Sequence, residues 1–138
     1  MRKVLFLLLI TLILTGCRGN EVVEETVKQK EMSQDAALEY LEQMTYRLVE
    51  AWENEDGSFE QKSSLNAAIG RNESVMEEIY EKYEEVPEII LDVKANVSVG
   101  AKNGLEGGYS FIEICLTTIA ELIEEEYGEL PPTLSEIM

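Results

Sequence analysis

The fold is decided by residues 111–127, FIEICLTTIAELIEEEY, which carry the widest apolar face in the chain. The apolar residues in this stretch recur three and four positions apart, a spacing that places them on one side of a helix. We therefore predict an amphipathic helix here and expect it to be the most buried helix of the fold. Gly128 follows directly, and glycine is the preferred residue just past a helix C-terminus.

Two earlier segments show the same helical spacing. Ser33 is a suitable N-cap for a helix with Leu41 and Leu48 on its apolar face. Ser58, followed three residues later by Gln61, has the capping-box pattern that begins a second helix. One row of residues on this second helix would face its neighbours in a bundle, and we call it the seam. The seam consists of Leu65, Ile69, Asn72, Met76, Ile79 and Tyr83, of which Asn72 is the one polar member. An alternative is that Gly70-Arg71-Asn72 breaks the helix into two.

The secondary structure of residues 87–101 is ambiguous, since their apolar residues fit both the alternating period of a strand and the three-to-four-residue period of a helix. Leu91, Val93 and Val97 belong to an alternating pattern typical of a strand, whereas Ile90, Val93, Val97 and Ala101 make a helical stripe. No other segment alternates, and an isolated strand is not stable. We therefore predict a helix, followed by a flexible turn that Asn103-Gly104 and Gly107-Gly108 bracket.

Together these segments predict an all-α domain, a small antiparallel bundle of about four helices over residues 33–138. A polar tether over residues 17–32 precedes it, because this stretch holds too few apolar residues to form a core. After Pro131-Pro132 we expect a terminal turn near Thr133 that docks weakly or frays.

Composition restricts the function. The chain has 28 acidic and 11 basic residues, a net charge of −17, and no histidine. A strongly negative field repels nucleic acid and anionic lipid headgroups. Without histidine, the commonest general base and metal ligand are missing. Cys115 stands alone in an apolar run, which favours a small buried residue over a catalytic thiol. We expect no enzyme activity, no cofactor, no metal site and no binding to nucleic acid.

The acidic residues concentrate beside the seam of the second helix. Like carboxylates at four-residue spacing repel one another and would gain from a neutralising partner. The alternative to an interaction face is that these carboxylates simply form a solvated helix face. The spacing of the acidic residues does not specify a coordination shell for a metal ion. The possible interaction face consists of Glu77, Glu78, Glu81, Glu84 and Glu85, with Lys82 as the only basic neighbour.

The N-terminal segment has the order of a secretory signal. Met1-Arg2-Lys3 is followed by an apolar run from Val4 to Leu14, which is too short to span a hydrocarbon core of about 30 Å. The segment ends in Leu14-Thr15-Gly16-Cys17. With these residues it resembles bacterial lipoproteins, whose lipobox is cut immediately before the cysteine. The resemblance implies a signal peptide over residues 1–16, lipid on Cys17, and a domain anchored at the extracytoplasmic face of the cell membrane.

The anchor, the tether and the charge together favour a non-catalytic interaction module. Its acidic helical surface would engage an envelope protein that has a basic surface. Two alternatives stay open from the sequence: a low-affinity binder of cations or small ligands, and a structural envelope protein without a dedicated ligand.

Overall fold

The computed structural model describes residues 27–54 and 57–138, which form five helices and no strand. This confirms the all-α prediction and the small helical bundle. The four long helices are α1 (Gln34–Glu53), α2 (Phe59–Lys82), α3 (Glu88–Leu105) and α4 (Tyr109–Tyr127), and a short α5 (Pro132–Ile137) follows.

The long helices pack antiparallel to their neighbours along the chain. The Nε2 of Gln61, near the start of α2, donates to the Ala51 carbonyl near the end of α1 at 3.1 Å. The chain therefore reverses direction between these helices. The packing of Gly100 against Cys115 and of Gly104 against Ile112 shows the same reversal between α3 and α4.

The most buried helix is α1, so the prediction for the stretch 111–127 was wrong on this point. Eight residues of α1 are buried, compared with six of α4. Because α1 contacts all four other helices, its apolar face is enclosed. The apolar face of α4 is wider than the surface that its neighbours cover, and Phe111 and Ile114 remain about half exposed.

Both predicted serine caps are present. The Ser33 hydroxyl accepts from the Ala36 N–H at 3.2 Å, and the Ser58 hydroxyl accepts from the Gln61 N–H at 3.1 Å. From Ser58 the helix α2 continues to Lys82 without interruption, so the predicted alternative of a break at residues 70–72 was wrong. Asn72 lies inside α2 and is buried.

Residues 88–101 belong to α3, as predicted, with Pro87 as its N-cap, but the turn after α3 is shorter than expected. Asn103-Gly104 lies in the last turn of α3 and does not form part of the turn. A Cβ on Gly104 would lie 2.9 Å from the Cδ1 of Ile112, so this glycine allows two helices to approach closely. Gly107, with φ 94°, supplies the reversal instead.

The C-terminal segment docks firmly, which contradicts the expectation that it frays. Leu134 of α5 is fully buried and belongs to the core. The Glu42 carboxylate on α1 accepts from the Thr133 N–H at 3.1 Å and from the Thr133 hydroxyl. These contacts cap the first turn of α5, whose N–H groups have no partner within the helix.

Candidate interaction surface at the tether end

The tether meets the domain at the connection between α2 and α3. The Gln29 N–H donates to the Lys82 carbonyl at 2.8 Å, and the Gln29 carbonyl accepts from the Glu84 N–H at 2.9 Å. The Lys30 carbonyl accepts from the Glu85 N–H at 3.1 Å. These bonds form an isolated parallel bridge. The last part of the predicted tether is therefore fixed to the bundle, whereas the predicted signal peptide, Cys17 and residues 18–26 lie outside the described residues.

Four of the five predicted acidic residues are exposed around this docking point, namely Glu77, Glu81, Glu84 and Glu85. Glu88 joins them, since it is exposed in the first turn of α3 immediately after the same connection. We call these five residues the tether-end acidic surface. Glu88 was missed in the sequence because the prediction followed one helix, and the surface crosses from α2 to α3.

Glu78, the fifth predicted residue, has a different environment. Its Oε1 accepts from the Lys82 ammonium at 2.7 Å and from the Tyr40 hydroxyl at 3.2 Å. The bond from Lys82 is the main reason that the pKa of the Glu78 carboxyl is lowered. Burial, with the nearby Glu78 charge, raises the pKa of Tyr40. Tyr40 also packs edge-on against Tyr83, with 6.3 Å between ring centroids. Glu78 thus joins α1 to α2 and is half withdrawn from solvent.

More negative charge lies at the same end of the bundle. Because α3 and α4 are antiparallel, the C-terminus of α4 lies beside the start of α3, and it exposes Glu124, Glu125 and Glu126. The Gln34 amide on α1 donates to the Glu129 carboxylate at 3.0 Å, which also places residues after α4 at this end. In the described part of the chain, no group of three or more acidic or cysteine side chains is arranged to hold a metal ion. The arrangement is a broad field of carboxylates.

Such a field acts on partners through charge. It attracts cationic groups and repels anionic ones over about 8–10 Å at physiological ionic strength. Electrostatic complementarity of this kind raises association rates and selects partners more than it adds affinity.

Cys115 lies away from this surface, on α4, and is buried as predicted. Burial raises the pKa of its thiol, which keeps the group protonated near neutral pH. Its Cβ would be 3.1 Å from a Cβ placed on Gly100, so it fills the contact between α3 and α4.

Residues 1–17 match the family model described as "Prokaryotic membrane lipoprotein lipid attachment site". This match confirms the predicted lipobox. No curated protein and no solved structure matches the chain. Within residues 27–54 and 57–138, no helix combines the length and the hydropathy needed to cross a membrane. The chain is thus a membrane-anchored lipoprotein by its attachment site, and no family is identified for the helical domain.

Proposed function

We propose that the chain is cleaved before Cys17, carries diacylglycerol and palmitate on that cysteine, and works at the extracytoplasmic face of the cell membrane. There the helical domain acts as a non-catalytic interaction module, and its tether-end acidic surface binds the basic surface of an envelope protein. A single acyl chain gives marginal, reversible anchoring, whereas two or more hold a protein stably. The lipid therefore fixes where the domain can find its partner.

The observation that carries this proposal is the docking of Gln29 and Lys30 against Lys82–Glu85. The chain that leads from the anchor enters the domain in the middle of the acidic surface. Residues 17–28 could span at most about 40 Å when fully extended. The acidic surface is thereby confined to a zone near the bilayer, and the partner is expected to present its basic residues there.

Electrostatics also supports an orientation. The tether-end acidic surface is repelled by anionic headgroups, and this repulsion extends the tether and keeps the carboxylates in solvent. A basic segment of an envelope protein close to the bilayer would relieve the repulsion. Binding should therefore weaken as salt rises.

Lipid attachment is tested by growing cells with labelled palmitate. The wild-type protein should incorporate the label and Cys17→Ala should not. Equal labelling of both proteins would place the lipid elsewhere and contradict this part of the proposal.

The acidic surface is tested by crosslinking in cells followed by mass spectrometry, with Glu81→Gln, Glu84→Gln and Glu85→Gln combined in one variant. These residues are exposed, so the triple variant should fold. At about 0.5 kcal/mol for each exposed ion pair, the loss of three pairs weakens binding by about tenfold. We expect an envelope protein with a basic surface to be crosslinked to the wild type and to be strongly depleted in the variant.

The matched control carries Glu53→Gln, Glu60→Gln and Glu106→Gln, which remove the same charge from exposed positions at the opposite end of the bundle. It should keep the partner. Equal loss of the crosslinked partner in both triple variants would mean that net charge alone matters. If neither variant loses the partner, the acidic surface does not bind it.

A further inference from the structure

The part of the tether that docks on the bundle consists of Lys28, Gln29 and Lys30, and we call it the strap. All three side chains are exposed. Three backbone hydrogen bonds hold the strap to the connection between α2 and α3, two made by Gln29 and one by Lys30. Neither lysine forms an ion pair among the described residues. Since docking buries no side chain of the strap, this contact should open more readily than the helices.

The strap brings positive charge onto the tether-end acidic surface. The Lys30 carbonyl accepts from the Glu85 N–H at 3.1 Å, so Lys30 runs alongside Glu84 and Glu85. Lys28 lines the same groove as Glu81. The strap is thus a short basic segment in extended form. It lies on the surface that the proposed function assigns to a basic partner.

The groups that hold the strap also suit an incoming chain. If the strap leaves, the Lys82 carbonyl and the N–H groups of Glu84 and Glu85 lose their partners. An extended segment of another protein can pair with them, as in strand addition to a sheet edge, where main-chain bonds give affinity and side chains give specificity. The carboxylates around these groups select a segment that carries lysine or arginine. The strap and a basic partner therefore compete for one site.

We propose that the strap is an autoinhibitory contact, which occupies the site of the basic partner until an extended basic segment of that partner displaces it. The proposal rests on the proposed function, since it concerns the same acidic surface. Met32 packs against the core and Ser33 caps α1, so the strap stays near its site after release, at a high effective concentration. The apparent affinity for a partner is reduced in proportion to the fraction of chains whose strap is open.

Hydrogen exchange followed by NMR, on the lipidated chain in neutral phosphatidylcholine nanodiscs, tests whether the strap docks and opens. The amides of Gln29 and Glu84 should exchange about 10- to 100-fold more slowly than those of an unstructured chain, and buried amides of α1 about 1,000-fold more slowly or beyond. Unprotected amides at Gln29 and Glu84 would mean that the strap does not dock. Protection equal to that of α1 would mean that it leaves only when the protein unfolds, and either result overturns the proposal.

Competition is tested on the same nanodiscs with a fluorescent peptide of three Lys-Gln-Lys units, whose binding is measured by anisotropy. Gln29→Pro removes the N–H that donates to the Lys82 carbonyl, so this variant should bind the peptide about three- to tenfold more tightly than the wild type. The matched control is Val27→Pro. Val27 precedes the strap, is 93% exposed and donates no backbone bond to the connection between α2 and α3. It should bind the peptide like the wild type.

The outcomes separate the strap from the surface beneath it. Equal binding by the wild type and Gln29→Pro, or equal tightening in Val27→Pro, overturns the autoinhibitory contact and leaves the proposed function intact. Weaker binding by Gln29→Pro would mean that the strap helps to form the site, which also overturns it. The triple variant Glu81→Gln, Glu84→Gln and Glu85→Gln should lose the peptide with or without Gln29→Pro. If no protein in the series binds the peptide, the proposed function fails together with the strap.

Discussion

Replacement of Asn72 by leucine should not destabilise the protein, although the side chain is buried between α2 and α3 and makes a hydrogen bond. Asn72 is 1% exposed, and its Nδ2 donates to the Lys94 carbonyl at 3.1 Å. Its Oδ1 is buried and has no hydrogen-bond partner among the described residues. The amide is thus only half satisfied.

The expected change in stability follows from the paired nitrogen and the unpaired oxygen of this amide. A buried acceptor without a partner costs about 1–3 kcal/mol, whereas one hydrogen bond contributes a net of about 0.5–1.5 kcal/mol. Lys94 lies inside α3, so its carbonyl keeps the bond to the N–H four residues later. Leucine has the branching of asparagine but larger terminal groups, which offsets part of the gain through tighter packing. For Asn72→Leu we expect a free energy of unfolding between that of the wild type and about 1 kcal/mol above it.

The assay is urea unfolding followed by circular dichroism at 222 nm. Asn72→Ala should be less stable than Asn72→Leu by about 2 kcal/mol or more, because both variants lose the hydrogen bond and the unpaired oxygen, and only alanine leaves a cavity. Asn66→Leu is the matched control, since Asn66 is an exposed residue of α2 whose amide donates to the Lys62 carbonyl, and it should change stability by less than about 0.5 kcal/mol. A loss above about 1 kcal/mol in Asn72→Leu, with helical content unchanged, would mean that the hydrogen bond of Asn72 contributes more than its unpaired oxygen costs.

Three further predictions concern the tail, one ion pair and the buried thiol. Leu134→Ala should lower the free energy of unfolding in urea by about 2–5 kcal/mol, since Leu134 is fully buried, and Ile137→Ala should cost less because that side chain is half buried. In the folded protein, Lys82 lowers the pKa of the Glu78 carboxyl below its ordinary value of 4.5. The stability that this pair contributes is therefore complete above pH 4.5 and is lost as pH falls through the folded-state pKa of Glu78. Acid titration monitored by circular dichroism should therefore show a smaller stability loss in Glu78→Gln. Cys115 should react with a thiol reagent only as fast as the protein unfolds, and rapid labelling of the native protein would contradict its burial.

The helices could be predicted from the sequence where local signals agree. Ser33 and Ser58 mark helix starts through bonds to N–H groups three residues away, and the apolar spacing marks the buried faces. Both kinds of signal act within one helix. The helical assignment of residues 87–101 succeeded for another reason, because a strand there would have had no partner.

Features that depend on distant residues could not be predicted in this way. Docking of α5 depends on Glu42, which is 91 residues before Thr133. The half-buried state of Glu78 depends on Tyr40, 38 residues away. In the sequence, Asn103-Gly104 looks like a turn. Only the contact of Gly104 with Ile112 shows that this glycine lies between two closely packed helices. The docking of Gln29 beside the acidic residues is likewise a backbone contact that no side-chain pattern records.

The proposed function requires the tether-end acidic surface to face a basic partner near the membrane, and site-specific photocrosslinking in cells can detect that contact. A photoreactive amino acid is placed at Glu81 in one chain and at Glu60, an exposed position at the opposite end of the bundle, in another. Cells that make the lipidated proteins are then irradiated. Position 81 should crosslink to a basic segment of an envelope protein, and position 60 should not. A partner captured from position 60 alone, or from neither position, would contradict the proposed function.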